Sequence, residues 1–166
     1  MKYLIKENSI ANFIAYAPLH KFKGRVEDGF SGFIDINLEK NDIKEIDIEV
    51  KTKFFTTGDK LKDIELHKYI SSKKIEVATF KLKKLKSFKK VKDNIYQIDL
   101  LGILNFMNIE RDLRLKFKIE YKDNLIYTKL NFDWSFKNYG FKAPQLLFLK
   151  VKDKVSINLE LNFTQK

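Results

Sequence analysis

The sequence has no cysteine, and only two histidines, two prolines and six glycines in 166 residues. The missing cysteine excludes disulfides and every thiolate-based zinc or iron–sulfur site. His20 and His67 stand far apart without H-x-x-x-H spacing, so a histidine metal centre has no ligand set to build on. Neither G-x-G-x-x-G nor G-x-x-x-x-G-K occurs, which leaves no phosphate cradle, and no G-x-S-x-G elbow offers a nucleophile. Long apolar runs are missing too. Phe13 to Ala17 and Leu146 to Leu149 fall far short of the roughly 18 residues that a membrane-spanning helix needs. The opening Met1-Lys2-Tyr3-Leu4-Ile5-Lys6-Glu7-Asn8 lacks the apolar stretch and cleavage site of a signal peptide. The expectation is a cytoplasmic protein, or a periplasmic one if a signal has been removed.

Positive charge is abundant: 33 Lys and Arg face 22 Asp and Glu, for a formal net charge of +11. Only Arg25, Arg111 and Arg114 are arginines, however. Bidentate reading of bases and phosphates belongs to arginine rather than lysine, so the charge argues against nucleic acid as the main ligand. Acidic residues show no catalytic grouping either. Glu45, Asp47 and Glu49 share the solvent face of a strand, whereas glycosidase carboxylates flank a cleft.

Hydrophobic residues make up 44% of the chain, with 15 Phe, 7 Tyr and 1 Trp, which excludes disorder and supplies a sizeable core. Their period is 2 over most of the length, the signature of strands with one face turned inward. Ile46, Ile48 and Val50 alternate with acids and lysine. Leu113, Leu115, Phe117, Ile119 and Tyr121 alternate with Arg114, Lys116, Lys118 and Glu120. The same pattern runs through Ile126, Thr128, Leu130, Phe132 and Trp134, and through Val155, Ile157, Leu159, Leu161 and Phe163. Further strands are predicted over Ser9 to Ala17, Phe22 to Val26, Phe30 to Leu38, Val77 to Lys86 and Ile95 to Phe106. Polar turns such as Glu27-Asp28-Gly29, Lys92-Asp93-Asn94 and Lys122-Asp123-Asn124 separate them.

One segment changes period. Leu61, Ile64, Leu66, Tyr69 and Ile70 follow helical spacing between Gly58-Asp59 and Lys73-Lys74, with Asp59 as N-cap, which predicts one helix of three to four turns. Asn138 to Pro144 reads as a loop holding more aromatic residues than a solvated turn requires. The whole chain, residues 1–166, is therefore predicted to be one all-β domain: an extended eight-stranded antiparallel barrel with one short inserted helix. A barrel of eight strands is filled by its own side chains or holds one slender ligand, and periodicity does not distinguish the two.

Several landmarks fall in a known order. Ser9 to Ala15 with Leu19-His20-Lys21-Phe22-Lys23-Gly24, and Phe30-Ser31-Gly32-Phe33-Ile34, resemble the first strands of the YceI-like family of lipocalin-like polyisoprenoid-binding domains. Thr57 to His67 is similar to its strand-to-helix element, and Ile75-Glu76-Val77-Ala78-Thr79-Phe80 to the strand that follows. Gly102-Ile103-Leu104 with Asn108 to Leu113, Phe136 to Phe141, and Val151 to Val155 match later landmarks. Lys62 stands where the family has arginine, Val77 where it has proline, and Asn108 where a turn glycine is usual. Asparagine is the next best residue for a left-handed turn position, so that hairpin survives.

The resemblance implies a non-catalytic protein without cofactor that holds an isoprenoid or similar amphiphilic lipid, such as a polyprenyl phosphate or an isoprenoid quinone, in an apolar tunnel. On that reading the inward residues Ile48, Val50, Leu115, Phe117, Phe132, Trp134, Leu159 and Leu161 line the tunnel, with Phe13, Phe33, Phe80 and Leu104 beside them. No metal site and no nucleic-acid partner is expected; a peripheral membrane contact and a homodimer stay open. The rival is a closed barrel acting through its basic surface on anionic membrane or a protein. An enzyme would need a cleft that gathers Asp63, His67 and Tyr139.

Overall fold

The alternating segments pair into a single antiparallel sheet that curls until its last strand meets its first. The structure, a computed structural model, describes every residue except Ile75 and Met107. Ile75, at the start of the motif before Phe80, thus lies outside the described residues. In chain order the elements are β1 (Lys2–Ile5), β2 (Ile10–Ala17), β3 (His20–Glu27), β4 (Phe30–Asn37), β5 (Asp42–Lys51) and β6 (Phe55–Thr56). Helix α1 (Lys60–Ser72) follows, then β7 (Val77–Lys92), β8 (Ile95–Phe106), β9 (Ile109–Lys122) and β10 (Leu125–Ser135). A small hairpin of β11 (Gln145–Leu146) and β12 (Leu149–Lys150) precedes the closing strand β13 (Lys154–Gln165).

Breaks in the first three staves explain why more than eight strands form an eight-stave barrel. β1 and β2 lie along one line, pairing with opposite ends of β13, and β3 with β4 and β5 with β6 are likewise broken lengths of one stave. The remaining staves are β7, β8, β9, β10 and β13, each antiparallel to the next, and β13 returns to β1 and β2. At the first break the Ser9 hydroxyl donates to the Asn162 carbonyl and accepts from the Asn162 N–H, replacing the ladder that residues 6–9 interrupt.

The structure differs from the sequence reading in three places. β1 forms at the N-terminus, where no strand was predicted; its Tyr3 is buried while Leu4 faces out. β7 continues past Lys86 to Lys92, paired to its end with β8. Its inward residues Leu82, Leu85 and Phe88 recur every third position, because register shifts at Leu82/Lys84 and Leu85/Ser87 insert an extra residue between them. Each bulge breaks the period of 2, which hid the strand's continuation beyond Lys86 in a lysine-rich tract. Helix α1 forms as predicted, with the Asp59 carboxylate accepting from the N–H groups of Leu61 and Lys62. Yet only Leu66, Tyr69 and Ile70 turn toward the barrel, and Leu61 and Ile64 are exposed.

Two apolar clusters divide the interior. One, including Tyr3, Ile36, Ile43, Phe88, Tyr96 and Ile98, fills the end that carries the β4–β5, β7–β8 and β9–β10 turns. The other, including Ala15, Phe22, Phe136, Leu146 and Val151, lies at the α1 end.

Candidate ligand-binding site

Between these clusters the barrel encloses a cavity of about 280 Å³. Its walls come from all eight staves and from α1. Along β13 the inward positions Val155 to Phe163 all face it, a stretch of roughly 27 Å at ~3.4 Å per residue. A small volume drawn out over such a length is a narrow channel.

Two phenylalanine–glycine pairs keep the channel clear. Phe13 on β2 is in register with Gly24 on β3, and its ring lies so close over the glycine that a Cβ there would sit 2.1 Å from the ring tip. Phe80 on β7, in register with Leu104, reaches diagonally over Gly102 on β8, with a would-be Cβ 2.0 Å from its tip. Because glycine has no side chain, both rings lie flat on the wall of the neighbouring strand instead of pointing across the lumen.

The upper part of the wall between β9 and β10 is parted. β10 pairs with β9 only over Leu125 to Lys129 and then leaves it, while β9 continues along β8 to Ile109. Aromatic residues cover the gap: Trp134 stacks on Tyr139 at 5.3 Å and meets Phe136 edge-on at 4.7 Å, and Phe106 meets Trp134, Tyr139 and Phe141 edge-on. Tyr139 donates its hydroxyl to the Leu104 carbonyl, Arg111 Nε donates to the Asn138 carbonyl, and burial pushes the Tyr139 phenol up to about 12. This is the aromatic loop anticipated between Asn138 and Pro144, here a seal on the barrel wall.

α1 covers the end of the channel and is tethered by Asp63. Its carboxylate accepts from Thr56 Oγ1 at 2.6 Å, Thr57 Oγ1 at 2.5 Å and the Thr57 N–H at 2.6 Å. Burial pushes this carboxyl up, but the three hydrogen bonds outweigh it and hold it below its ordinary value of 3.8. His67 Nε2 bonds the Phe55 carbonyl at 2.7 Å. Asp63 and His67 thus pin the helix to β6, while Tyr139 seals the β9–β10 gap; each of the three is engaged in its own structural contact. Among the described residues no group of three or more His, Asp or Glu could hold a metal ion.

The lumen is apolar throughout. Of its few polar members, three have their hydroxyls turned to protein partners: Thr57 to Asp63, Thr128 to the Lys118 carbonyl, and Tyr69 to the Lys142 carbonyl; Thr79 and the Trp134 indole are the others. No buried side-chain nitrogen or oxygen among the described residues lacks a hydrogen-bond partner.

Eleven of the twelve residues singled out in the sequence face this cavity: Phe13 on β2, Ile48 and Val50 on β5, Phe80 on β7, Leu104 on β8, Leu115 and Phe117 on β9, Phe132 and Trp134 on β10, and Leu159 and Leu161 on β13. Phe33 does not. Phe30, Ile34 and Ile36 are the inward residues of β4, so Phe33 points outward, where Lys2 Nζ lies 4.2 Å from its ring centre. The sequence reading also passed over Phe22, Phe30 and Phe55 and the helix residues Leu66, Tyr69 and Ile70 as lining groups. Phe30 could have been found by parity with Ile34; the helix residues could not, since spacing does not say which side of a helix meets the barrel.

The comparisons agree with this architecture. The sequence profile of the YceI-like domain matches residues 4–163, and the chain belongs to that family. Among solved structures, a polyisoprenoid binding domain from Saccharophagus degradans implicated in plant cell wall breakdown superposes with a TM-score of 0.78 at 14% identity, covering 99% of this chain and 98% of that one. BcnA of Burkholderia cenocepacia superposes with a TM-score of 0.70 at 13% identity, over 93% and 95% of the two chains. The YCEI protein of Campylobacter jejuni gives 0.69 at 20% identity, over 91% and 89%. No curated protein matches the sequence.

Proposed function

We propose that this protein binds an isoprenoid or similar amphiphilic lipid, such as a polyprenyl phosphate or an isoprenoid quinone, as a non-catalytic carrier or store. The observation that carries the reading is the channel: narrow, long and lined almost wholly by apolar side chains, with no charged residue in its wall. At about 0.8 kcal/mol per buried methylene, ten carbons contribute on the order of 8 kcal/mol before the cost of ordering the chain. Micromolar affinity needs about 8.2 kcal/mol net, so a chain longer than ten carbons, which also offsets the ordering cost, reaches it with no head-group contact. A charged head group finds no charged partner inside and stays outside the lumen. The similarity to a polyisoprenoid binding domain over nearly the whole chain supports the same reading. Native mass spectrometry of the purified protein, followed by organic extraction, tests it. A stoichiometric isoprenoid is the expected result, and an empty protein that refuses added polyprenyl lipid overturns it.

A further inference from the structure

Two tight hairpins at the α1 end carry bulky apolar residues where turn chemistry asks for asparagine or glycine. β2 and β3 are joined through Pro18 and Leu19, with Leu19 fully exposed at φ 61°. β11 and β12 are joined through Leu147 at φ 49° and Phe148 at φ 65°, and Phe148 is 98% exposed. A two-residue hairpin with both central residues in the left-handed region is the one that Asn-Gly occupies with least strain. Leucine and phenylalanine there oppose the backbone preference and also place apolar surface in water. Two local rules broken together, with nothing gained inside the fold, mark a functional surface.

The two tips belong to one face. The Lys152 N–H donates to the Tyr16 carbonyl, tying the loop after β12 to the β2–β3 hairpin. The Leu147 N–H donates to Glu65 on α1, and Lys62 on α1 lies 5.4 Å from the ring centre of Phe22, three residues after Leu19. Leu61 and Ile64, on the same helix, are 67% and 63% exposed. Lysines surround these residues: Lys21, Lys60, Lys62, Lys142, Lys150 and Lys152, none in an ion pair among the described residues. The acids among them, Asp59, Asp63, Glu65 and Asp153, accept hydrogen bonds from neutral donors of the fold and keep their charge, so six lysines stand against four carboxylates and the face remains net positive.

We propose that this face docks on an anionic lipid bilayer, with Leu19, Leu147 and Phe148 entering the acyl boundary and the lysines facing the head groups. Apolar tips ringed by an excess of lysines match the two layers of such a surface, apolar below and negative above. The proposal stands on the tips and the charge. Joined to the carrier reading, it sets α1 and the β11–β12 hairpin, which cover the channel end, directly over the membrane.

Co-sedimentation of the full chain with vesicles tests it, using phosphatidylcholine mixed with phosphatidylglycerol and phosphatidylcholine alone. Binding to the mixed vesicles is expected, weaker in high salt and weaker without phosphatidylglycerol. The double variant Leu147→Asn, Phe148→Gly is expected to bind about tenfold more weakly or worse, the worth of withdrawing one large apolar side chain. It is also expected to melt no lower than the unaltered protein, since Asn-Gly suits the turn, so the loss is not one of folding. No binding to mixed vesicles, or undiminished binding by the double variant, overturns the proposal. So does a dimer in sedimentation velocity that the double variant abolishes while vesicles stay unbound. The assay uses lipid-free protein, so its failure leaves the extraction result standing, and the converse holds.

Discussion

Gly24→Ala tests whether the channel depends on rings lying on glycines. The three nearest atoms to a Cβ at Gly24 all belong to the Phe13 ring, at 2.1, 2.3 and 2.8 Å. Carbon atoms rest at about 3.5–4.0 Å, so the ring tip must move by roughly 1.5 Å. The empty space beside it is the lumen, because Phe13 lines the cavity and packs against Phe55 at 5.7 Å between ring centres. Overpacking of this kind costs about 1–3 kcal/mol, which for a chain of this size lowers Tm by about 3–10 °C. Uptake of a polyprenyl lipid falls with it, as the displaced ring enters the channel. Phe13→Leu alone also lowers Tm by removing ring contacts. In the Gly24→Ala background it lowers Tm less, or raises it, with a coupling of about 1 kcal/mol or more. Thermal unfolding of the four proteins, with lipid uptake measured in parallel, closes the cycle. Strict additivity of the two changes, or a Gly24→Ala variant that melts and binds like the unaltered protein, refutes the reasoning.

Leu115→Trp places a bulky ring in the wall of the channel and is expected to abolish lipid uptake, while circular dichroism keeps the β-signature. Ile98→Ala acts at the opposite end: Ile98 is fully buried in the sealing cluster and does not line the cavity, so a loss of about 2–5 kcal/mol in chemical denaturation should leave lipid uptake intact at temperatures where the protein is folded. Asp63→Asn should destabilise the protein at neutral pH. The folded-state pKa of Asp63 lies below its ordinary value of 3.8, so the stability held by its carboxylate is fully present above that value and is lost as pH falls through the lower, folded one. The melting temperatures of Asp63→Asn and the unaltered protein should therefore converge in that acid window, and a gap that stays constant through it would count against the tether.

Much of the barrel could be read directly. In β9, β10 and β13 inward and outward residues alternate without interruption, so strand, face and lining residues follow from one rule. Helix α1 and its Asp59 cap were legible because a change of period and a capping side chain are both local signals. β7 was only half legible, since its bulges spread Leu82, Leu85 and Phe88 to every third position. β1 is too short to show a period, and it forms by filling the place beside β4 and the end of β13. Phe33 was misjudged because a large ring in a strand carries no mark of its face; only counting from Ile34 and Ile36 sets it outside.

What the sequence by itself determined is what local chemistry can encode: an all-β chain, its turns, its single helix and the inward residues of its regular strands. Tertiary structure alone decided whether the interior is filled or open. The answer rests on Phe13 meeting Gly24 and Phe80 meeting Gly102, residues on different strands brought together by register. The placing of Leu66, Tyr69 and Ile70 over the channel, and of the β2–β3 and β11–β12 hairpins on one face, rests likewise on contacts between distant segments. Such neighbours are chosen by pairing and packing of the whole barrel, which no window of sequence contains.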